Sequence, residues 1–352
     1  MNAAQFILAV VTAATAIWFF SERRRRKTHS ITPGIDHSTS LPHEVPIELY
    51  SNSFSHCSRK TRIVLEELGI EYKHHSIQLI ETGWYETISP SYLRVNPSGL
   101  VPTLVHRGHP VYESDDILTY AQSIASSHAP ALVPEDDTLR REMNDWLEFC
   151  AISSAGPMDG MQERAGACVP GLTLPLFMTS IQYIPVQRIL IGLLFHFDRK
   201  RPLLFLAGKL LGLRRMMKLK PAQEIMHNSR NHMRGHLESL EQALEARDGD
   251  WILGDQYTLA DVTLTCLLLR LEETQWLRWY QSQTNLSYTI SYFNRLKGRT
   301  SWAKAIDAHQ SPVITLAVED LRGALAADPS TAALLYAGSQ PNSTSEKLNA
   351  SW

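Results

Sequence analysis

The pattern of apolar and polar residues divides the chain into three parts. Residues 6–20 read FILAVVTAATAIWFF, an apolar run in which only two threonines are mildly polar. Residues 47–128 contain short alternating runs that predict strands, separated by stretches with helical spacing. From residue 136 onward, apolar residues recur at helical spacing. The pattern therefore predicts an apolar N-terminal helix, a small α/β domain and an all-α domain.

The apolar run predicts a single transmembrane helix over residues 3–20. It approaches the ~20 residues that cross a bilayer, and four arginines and a lysine follow at residues 23–27. Because positive charge stays on the cytosolic side, we expect a single-pass anchor with the rest of the chain facing the cytosol of an unspecified membrane. A cleaved signal or targeting peptide is the alternative. Residues 21–46 are basic, then polar and broken by proline, which predicts a basic flank and a flexible linker.

The α/β domain, residues 47–128, has the order strand, helix, strand, then two strands and a helix. The strands are predicted over residues 47–50, 71–79, 102–105 and 110–112, and the helices over residues 59–69 and 115–126. A helical crossover predicts that the first two strands are parallel, and the short turn between the last two predicts a hairpin.

Cys57 lies where the first helix of this domain begins. A helix N-terminus carries partial positive charge and lowers the pKa of a thiol. Arg59, Lys60 and Arg62 add positive charge within the next turn and a half. Cys57 is therefore a candidate nucleophile, and a small buried cysteine without a chemical role is the alternative.

Length, composition, net charge and cysteine spacing exclude several classes of protein function. A length of 352 residues predicts about two domains, and 44% hydrophobic residues are typical of a globular protein. The net charge of −2 gives no general attraction to nucleic acid. The four cysteines, at 57, 150, 168 and 266, lack paired spacing, which argues against a disulfide framework and a zinc site.

The all-α domain is predicted over residues 135–312, followed by a partly disordered tail over 313–352. Thr258 and Asp261 have the spacing of a capping box, so we interpret Asp261 as structural. His232 and His236 are four residues apart, but no third ligand is evident, and no metal site is expected.

An insertion over about residues 157–221 interrupts this domain. Its first part is strongly apolar but contains Pro175, Pro185 and Arg188, and it ends in the basic run RRMMKLK (214–220). One interpretation places it on a membrane surface with its basic residues facing lipid phosphates. The other is that it covers the substrate pocket and packs as core.

Several stretches resemble one known superfamily. LYSNSFSHCSRKTRIVLEELGIEYK (49–73), NPSGLVPTLV (96–105) and YESDDILTY (112–120) resemble the N-terminal, thioredoxin-like domain of glutathione transferases. Within it, S-x-C-S-x-K-T-R (55–62) is most similar to tetrachlorohydroquinone reductive dehalogenases, relatives of the zeta class. Residues 257–273 and 285–306 are similar to the last helices of these proteins. The ganglioside-induced differentiation-associated group is more loosely similar.

The resemblance implies a thioredoxin-like α/β domain, an all-α domain and glutathione as co-substrate. It implies that the Ser55 hydroxyl donates a hydrogen bond to the glutathione thiolate and that Cys57 forms a mixed disulfide with glutathione. It also implies that the backbone of Val101 pairs with the cysteinyl unit of glutathione and that Pro102 follows a cis peptide bond.

Glu113 and Ser114 are implied to hold the γ-glutamyl end of glutathione. The physical chemistry agrees, because a helix N-terminus favours a carboxylate and a glutamate side chain can pair with an ammonium group. A helix cap without a ligand is the alternative.

The sequence is compatible with two functions. The first is a membrane-anchored, glutathione-dependent transferase that reduces, dehalogenates or isomerises an electrophilic small molecule. The second is a non-catalytic transferase-fold protein for membrane tethering or interaction. The combination of Ser55, Cys57 and the implied glutathione site favours the enzyme, because an interaction module does not need it. The sequence leaves open the electrophile, the reaction type and whether the chain forms a homodimer.

Overall fold

The computed structural model describes residues 2–152, 163–197 and 199–336. The strands are β1 (Gly34–Ile35), β2 (Ile47–Ser51), β3 (Lys73–Ser76), β4 (Thr103–His106) and β5 (His109–Tyr112). The helices are α1 (Ala3–Arg25), α2 (His56–Glu67), α3 (Tyr92–Val95), α4 (Ser114–Ile124), α5 (Asp137–Cys150), α6 (Ala165–Ser180), α7 (Val186–Phe195), α8 (Lys200–Met217), α9 (Lys220–Glu245), α10 (Leu259–Glu273), α11 (Trp276–Gln283), α12 (Ser287–Lys297), α13 (Thr300–Ala305), α14 (Pro312–Ala327) and α15 (Pro329–Tyr336).

The strands form one mixed sheet in the order β1-β5-β4-β2-β3. β2 and β3 are parallel and β4 and β5 are antiparallel, which confirms the predicted crossover and hairpin. Leu49, Leu104 and Val111 of the sheet are fully buried in one cluster with Ile63 of α2 and Ile117 of α4. The two helices therefore cover a sheet face, and their N-terminal turns lie near each other at one edge.

The segment between α1 and β2 is ordered against the sheet, which differs from the flexible linker that its composition predicts. β1 pairs antiparallel with β5 and becomes the edge strand. Three further backbone amides donate to carbonyl oxygens of the domain: His29 to Pro97, Asp36 to Pro110 and Leu41 to Gly108. A two-residue strand is too short to leave a periodic pattern, so the sequence shows only its polar, proline-containing composition.

α1 is long and apolar enough to cross a membrane, and none of its residues is buried in the protein. Asn2 and Gln5 form a capping box at its start, and arginines occupy its last turn. Near its C-terminal end, Trp18 and Phe19 pack against Phe195 of α7. α1 therefore projects from the protein and meets it at the basic end of the helix.

α6 lies at the centre of the all-α domain, between α9 and α14. Fourteen of its sixteen residues are buried. α6 and α7 together are apolar enough for a broken span, with a bend of 113°, but the burial of α6 makes it a core helix. The first part of the insertion thus packs as core, and its residues 157–162 lie outside the described residues.

The C-terminal segment forms two helices where the sequence predicts a partly disordered tail. Ile314, Ala317 and Leu321 of α14 are buried against Phe54 and Leu176. At the end of α15, the ring of Tyr336 stacks on Trp279 with 5.3 Å between centroids. The disorder prediction is therefore wrong for residues 313–336, because α14 buries an apolar face, and residues 337–352 lie outside the described residues.

Candidate functional site

A buried asparagine holds the loop between β2 and α2. The Oδ1 atom of Asn52 accepts hydrogen bonds from the amides of Phe54 (2.9 Å) and Ser55 (3.1 Å). Its Nδ2 atom donates to the carbonyl of Ile77 (2.8 Å) and to Oγ1 of Thr82 (2.9 Å). These bonds use both donors and both acceptor positions of the amide, so the chain enters α2 in one defined conformation.

Ser55 and Cys57 lie at the start of α2, where the sequence predicts them. Ser55 is the N-cap residue, and its Oγ atom accepts from the amide of Ser58 at 3.3 Å. That bond leaves the hydroxyl proton of Ser55 available for another acceptor. Cys57 is in the first turn, partly exposed and not in a disulfide. The unpaired amides and partial positive charge of a helix N-terminus favour an anion at this point.

The other three cysteines differ from Cys57 in their surroundings. Cys150, Cys168 and Cys266 are buried. Burial raises the pKa of each of these thiols to about 12, because a thiolate loses its solvation there. Cys57 is therefore the cysteine whose thiol is both accessible and placed at a helix N-terminus.

Lys60 lies one turn after Cys57 and forms an ion pair with Asp115, the second residue of α4. The lysine side chain is buried, whereas Asp115 is half-exposed. Burial disfavours the ammonium ion, but the negative charges of the Cys57 sulfur and the Asp115 carboxylate outweigh this effect and raise the pKa of Lys60. The pair joins the first turns of α2 and α4 and holds a positive charge beside Cys57.

Arg59 and Arg62 form their hydrogen bonds away from Cys57, although the sequence predicts that they add positive charge near it together with Lys60. Arg59 forms two hydrogen bonds with Glu273 of α10, at 2.9 and 2.6 Å. Arg62 is fully buried and donates to the carbonyls of Asn52 (3.0 Å) and Ala305 (2.8 Å). Burial lowers the pKa of Arg62 to about 10. Both guanidinium groups therefore fasten the loop and α2 to the all-α domain.

The peptide bond between Val101 and Pro102 is cis, as the resemblance implies. It lies in the connection before β4. Here the Nδ2 atom of Asn96 donates to the carbonyl of Leu100 (3.0 Å) and to Oγ1 of Thr103 (2.9 Å). The buried Asn96 thus supports this turn as Asn52 supports the loop before α2.

Glu113 and Ser114 join β5 to α4. Glu113 has φ 63° and ψ 132°, a conformation that non-glycine residues rarely adopt, and its side chain is exposed. Such strain in an exposed residue is typical of ligand sites. Ser114 is buried and is the first residue of α4. Glu113 therefore occupies the N-cap position of α4.

Asp261 is structural, in agreement with its interpretation from the sequence. It forms the capping box with Thr258 at the start of α10. It also accepts hydrogen bonds from the amide of Ile252 (3.0 Å) and the hydroxyl of Tyr292 (2.7 Å). Among the described residues, no group of three histidine, cysteine or carboxylate side chains is placed to hold a metal ion.

A cavity of about 280 Å³ lies on the α10 and α14 side of the loop before α2. Ser53, Phe54 and Arg59 line one wall, while Glu273 and Ile314 are among the lining residues from the helices. Ser55 and Cys57 do not line it. The cavity is therefore separate from the thiol, and the candidate site consists of the starts of α2 and α4 and the cis-proline turn.

Sequence reasoning finds the residues of this site that lie in local motifs but misses those that tertiary contacts define. The sequence motifs do not identify Asn52 or Asp115 as site residues. The sequence does contain a signal for Asp115, because it directly follows Glu113 and Ser114, which are predicted to hold the γ-glutamyl end of glutathione. For Asn52 the sequence offers only a polar residue in a polar loop.

Comparisons with known proteins agree with this architecture. The N-terminal domain of glutathione S-transferases matches residues 54–124, and their C-terminal domain matches residues 223–283. Tetrachloro-p-hydroquinone reductive dehalogenase from Sphingobium chlorophenolicum is 24% identical over 269 residues, which cover 74% of this chain and 95% of that protein. Ganglioside-induced differentiation-associated protein 1-like 1 from Homo sapiens is 25% identical over 284 residues, 74% of each chain.

A solved structure shows the same fold. The crystal structure of a beta-etherase from Sphingobium sp. strain SYK-6 superimposes with a TM-score of 0.60 at 19% identity, covering 75% of this chain and all of that one. The α/β domain with its mixed sheet and the all-α domain are thus the two domains of one fold. This chain therefore carries the N- and C-terminal domains of the glutathione S-transferase family in the glutathione S-transferase fold.

Proposed function

We propose that this protein is a membrane-anchored, glutathione-dependent transferase in which Cys57 forms a mixed disulfide with glutathione. The observation that carries this proposal is the partly exposed Cys57 thiol at the start of α2, next to the buried ammonium of Lys60. The other cysteines are buried, so this position is the one suited to thiol chemistry. The similarity to a reductive dehalogenase over 95% of that protein supports the same chemistry.

Glutathione fits the residues around this thiol. The N-terminus of α4 at Ser114 suits the γ-glutamyl carboxylate, and the exposed Glu113 suits its ammonium group. The backbone of Val101, before the cis-proline, would pair with the cysteinyl unit. The free hydroxyl proton of Ser55 would then reach the glutathione sulfur and stabilise it as a thiolate.

Reduction of a halogenated electrophile would proceed in three steps. The glutathione thiolate displaces halide from carbon and forms a thioether. The Cys57 thiolate then attacks the glutathione sulfur, giving a Cys57–glutathione disulfide and a carbanion that takes a proton from water. A second glutathione thiolate attacks this disulfide, which releases oxidised glutathione and restores Cys57. Two glutathione molecules thus supply two electrons, and the products are the reduced compound, halide and oxidised glutathione.

Isomerisation would use the same site without net reduction. Glutathione would add to a conjugated double bond, the adduct would rotate, and elimination would return glutathione. Ser55 would be required because the thiolate is the nucleophile, whereas Cys57 would assist without forming a disulfide. The two reactions therefore differ in their dependence on Cys57.

Anchoring by α1 is the second part of the proposal. No residue of the helix is buried in the protein, and arginines occupy its last turn. Because positive charge stays on the cytosolic side, this pattern supports catalytic domains that face the cytosol. A tethering or interaction role without turnover is the second candidate function, and the exposed α1 is the observation that favours it.

Calorimetric titration of glutathione into the full chain in detergent tests the proposal. We expect saturable binding in the native protein and in Cys57→Ser, but reductive turnover of a halogenated hydroquinone only in the native protein. Ser55→Ala is the matched comparison, because it should slow reduction and conjugation alike. Unchanged reductive turnover in Cys57→Ser would refute the disulfide mechanism. No binding up to ~10 mM glutathione, weaker than about −2.7 kcal/mol, would favour the tethering function.

A further inference from the structure

The helix α7 is apolar on two opposite faces. Ile189 and Phe195 are buried against the domain. Val186, Leu190 and Leu194, which are four residues apart, form a stripe on the other side and are 38, 42 and 48% exposed. A helix that is apolar all round is normally buried in protein or membrane. We therefore expect another protein surface or a membrane to contact this exposed stripe.

The neighbouring helix α8 extends the stripe. Phe205 and Gly208 are buried, whereas large apolar side chains on the outer side are exposed, with Leu210 at 71%. We use the name α7–α8 face for the exposed apolar residues Val186, Leu190, Leu194, Phe197, Leu203, Leu210 and Leu211. Large exposed apolar side chains on two helices that pack against each other mark a site of interaction with a membrane or another protein.

The surroundings of the α7–α8 face are strongly basic. Residues 186–220 contain nine lysines and arginines and one aspartate. Exposed basic residues lie at both ends of α8, including Lys200 and Arg215. Apolar side chains bordered by basic ones are the pattern of an element that lies in the interface of an anionic bilayer.

The face begins where α1 ends. The ring of Phe195 packs against Trp18 and Phe19, with centroid distances of 6.3 and 5.6 Å. The guanidinium groups of Arg23 and Arg26 lie 5.1 Å from the ring centres of Phe197 and Phe195. Tryptophan and arginine at the end of a membrane helix lie at the level of the lipid headgroups. The C-terminal end of α7 is therefore held at that level if α1 spans the bilayer.

We propose that the α7–α8 face lies in the headgroup layer of the membrane that α1 crosses, with the exposed Arg215 and Lys218 at the C-terminal end of α8 facing anionic lipid phosphates. The proposal rests on the anchoring part of the proposed function. The alternative is that a second copy of this chain covers the α7–α8 face. Two such faces would bring the excess positive charge of both copies together, which is unfavourable, whereas an anionic lipid surface neutralises it. The enzyme would then lie flat on its membrane.

Fluorescent labels at matched positions test this proposal in the full chain. In a Cys57→Ser background, Leu194→Cys or Tyr288→Cys provides a single accessible thiol, since the other native cysteines are buried. Leu194 and Tyr288 are similarly exposed, at 48 and 45%, but Tyr288 lies on α12, away from α7. The proteins are placed in vesicles of phosphatidylcholine with or without phosphatidylserine, and a nitroxide-labelled lipid serves as quencher.

We expect several-fold stronger lipid quenching at position 194 than at position 288, and an increase at 194 when phosphatidylserine is present. Arg215→Glu with Lys218→Glu should remove that increase. A label at 194 that is quenched no more than the one at 288 would overturn the proposal. So would a label at 194 that is shielded from water but not reached by the lipid quencher, because a second copy would then cover the face. Flotation of the vesicles reports α1 insertion separately, and glutathione binding reports the catalytic site.

Discussion

At the start of α2, three neighbouring cationic side chains have different partners and therefore different effects. Arg59 binds Glu273 and Arg62 binds backbone carbonyls, so both positive charges are engaged in holding the loop and the two domains. Lys60 is paired with the half-exposed Asp115. Lys60 lies three residues after Cys57 on the same helical face, and the negative charge of the Cys57 sulfur is one of the causes that raise the pKa of Lys60.

Replacing Lys60 with methionine should slow alkylation of Cys57 by iodoacetamide at neutral pH by about tenfold. The reason is the loss of about 1.4 kcal/mol of electrostatic stabilisation of the thiolate in a partly buried setting. Mass spectrometry of timed samples measures the rate. The conservative change Lys60→Arg keeps the charge and should restore most of the rate.

The thermal midpoint separates this role from a structural one. If Lys60→Met and Lys60→Arg slow alkylation equally while both lower the midpoint, Lys60 supports the fold and not the thiolate. A full rate in Lys60→Met would likewise contradict the assigned role.

How far the site can be predicted depends on whether its determinants are local. Ser55 and Cys57 belong to one continuous motif, and the cis bond before Pro102 follows from the resemblance, so the sequence identifies them. The pairing of Lys60 with Asp115 joins residues 55 positions apart. No periodicity encodes such a contact, because it arises when α2 and α4 pack on the same sheet face.

Among the elements, the short strand β1 and the two C-terminal helices differ most from expectation. β1 has no periodic signal, since its contribution is backbone pairing with β5. α14 did carry a signal: Ile314, Ala317 and Leu321 are spaced as one helical face, and Pro312 suits a helix start. The alanine-, serine- and asparagine-rich composition of residues 313–352 predicts disorder in spite of this pattern.

The segment containing β1 should stabilise the α/β domain. A chain that begins at Glu44 loses the strand and three further backbone hydrogen bonds, whereas a chain that begins at Lys27 keeps them. At about 1 kcal/mol for each of these three bonds, we expect the shorter chain to be less stable by about 3 kcal/mol from these bonds alone. Urea unfolding of the two truncated proteins measures the difference. Equal free energies of unfolding would show that the segment behaves as the linker that its composition suggests.

In the molecule as a whole, the buried guanidinium of Arg62 lies where the two domains meet. Histidines near it make the stability of the fold sensitive to pH. His74 of β3 and His309, just before α14, are in ring contact at 4.4 Å. Burial, together with the guanidinium of Arg62, lowers the pKa of each imidazole from 6.5 to about 4, and the charge of His309 also lowers the pKa of His74. Burial lowers the pKa of His56 as well. These histidines are therefore neutral in the folded protein at neutral pH.

Stability should fall as the pH is lowered from about 6.5 to about 4. In this range the unfolded chain binds a proton on each histidine at its ordinary pKa, whereas the folded protein does not, so protonation favours unfolding. Above this range the effect is absent. The slope of the unfolding free energy against pH is proportional to the number of protons that the chain binds on unfolding. We expect this number, obtained from urea titrations at several pH values, to be about one lower in His309→Phe than in the native protein. The exposed His128→Asn is the control and should leave the slope unchanged. If His309→Phe has the slope of the native protein, the cluster of His74, His309 and Arg62 does not determine the acid sensitivity of the domain interface.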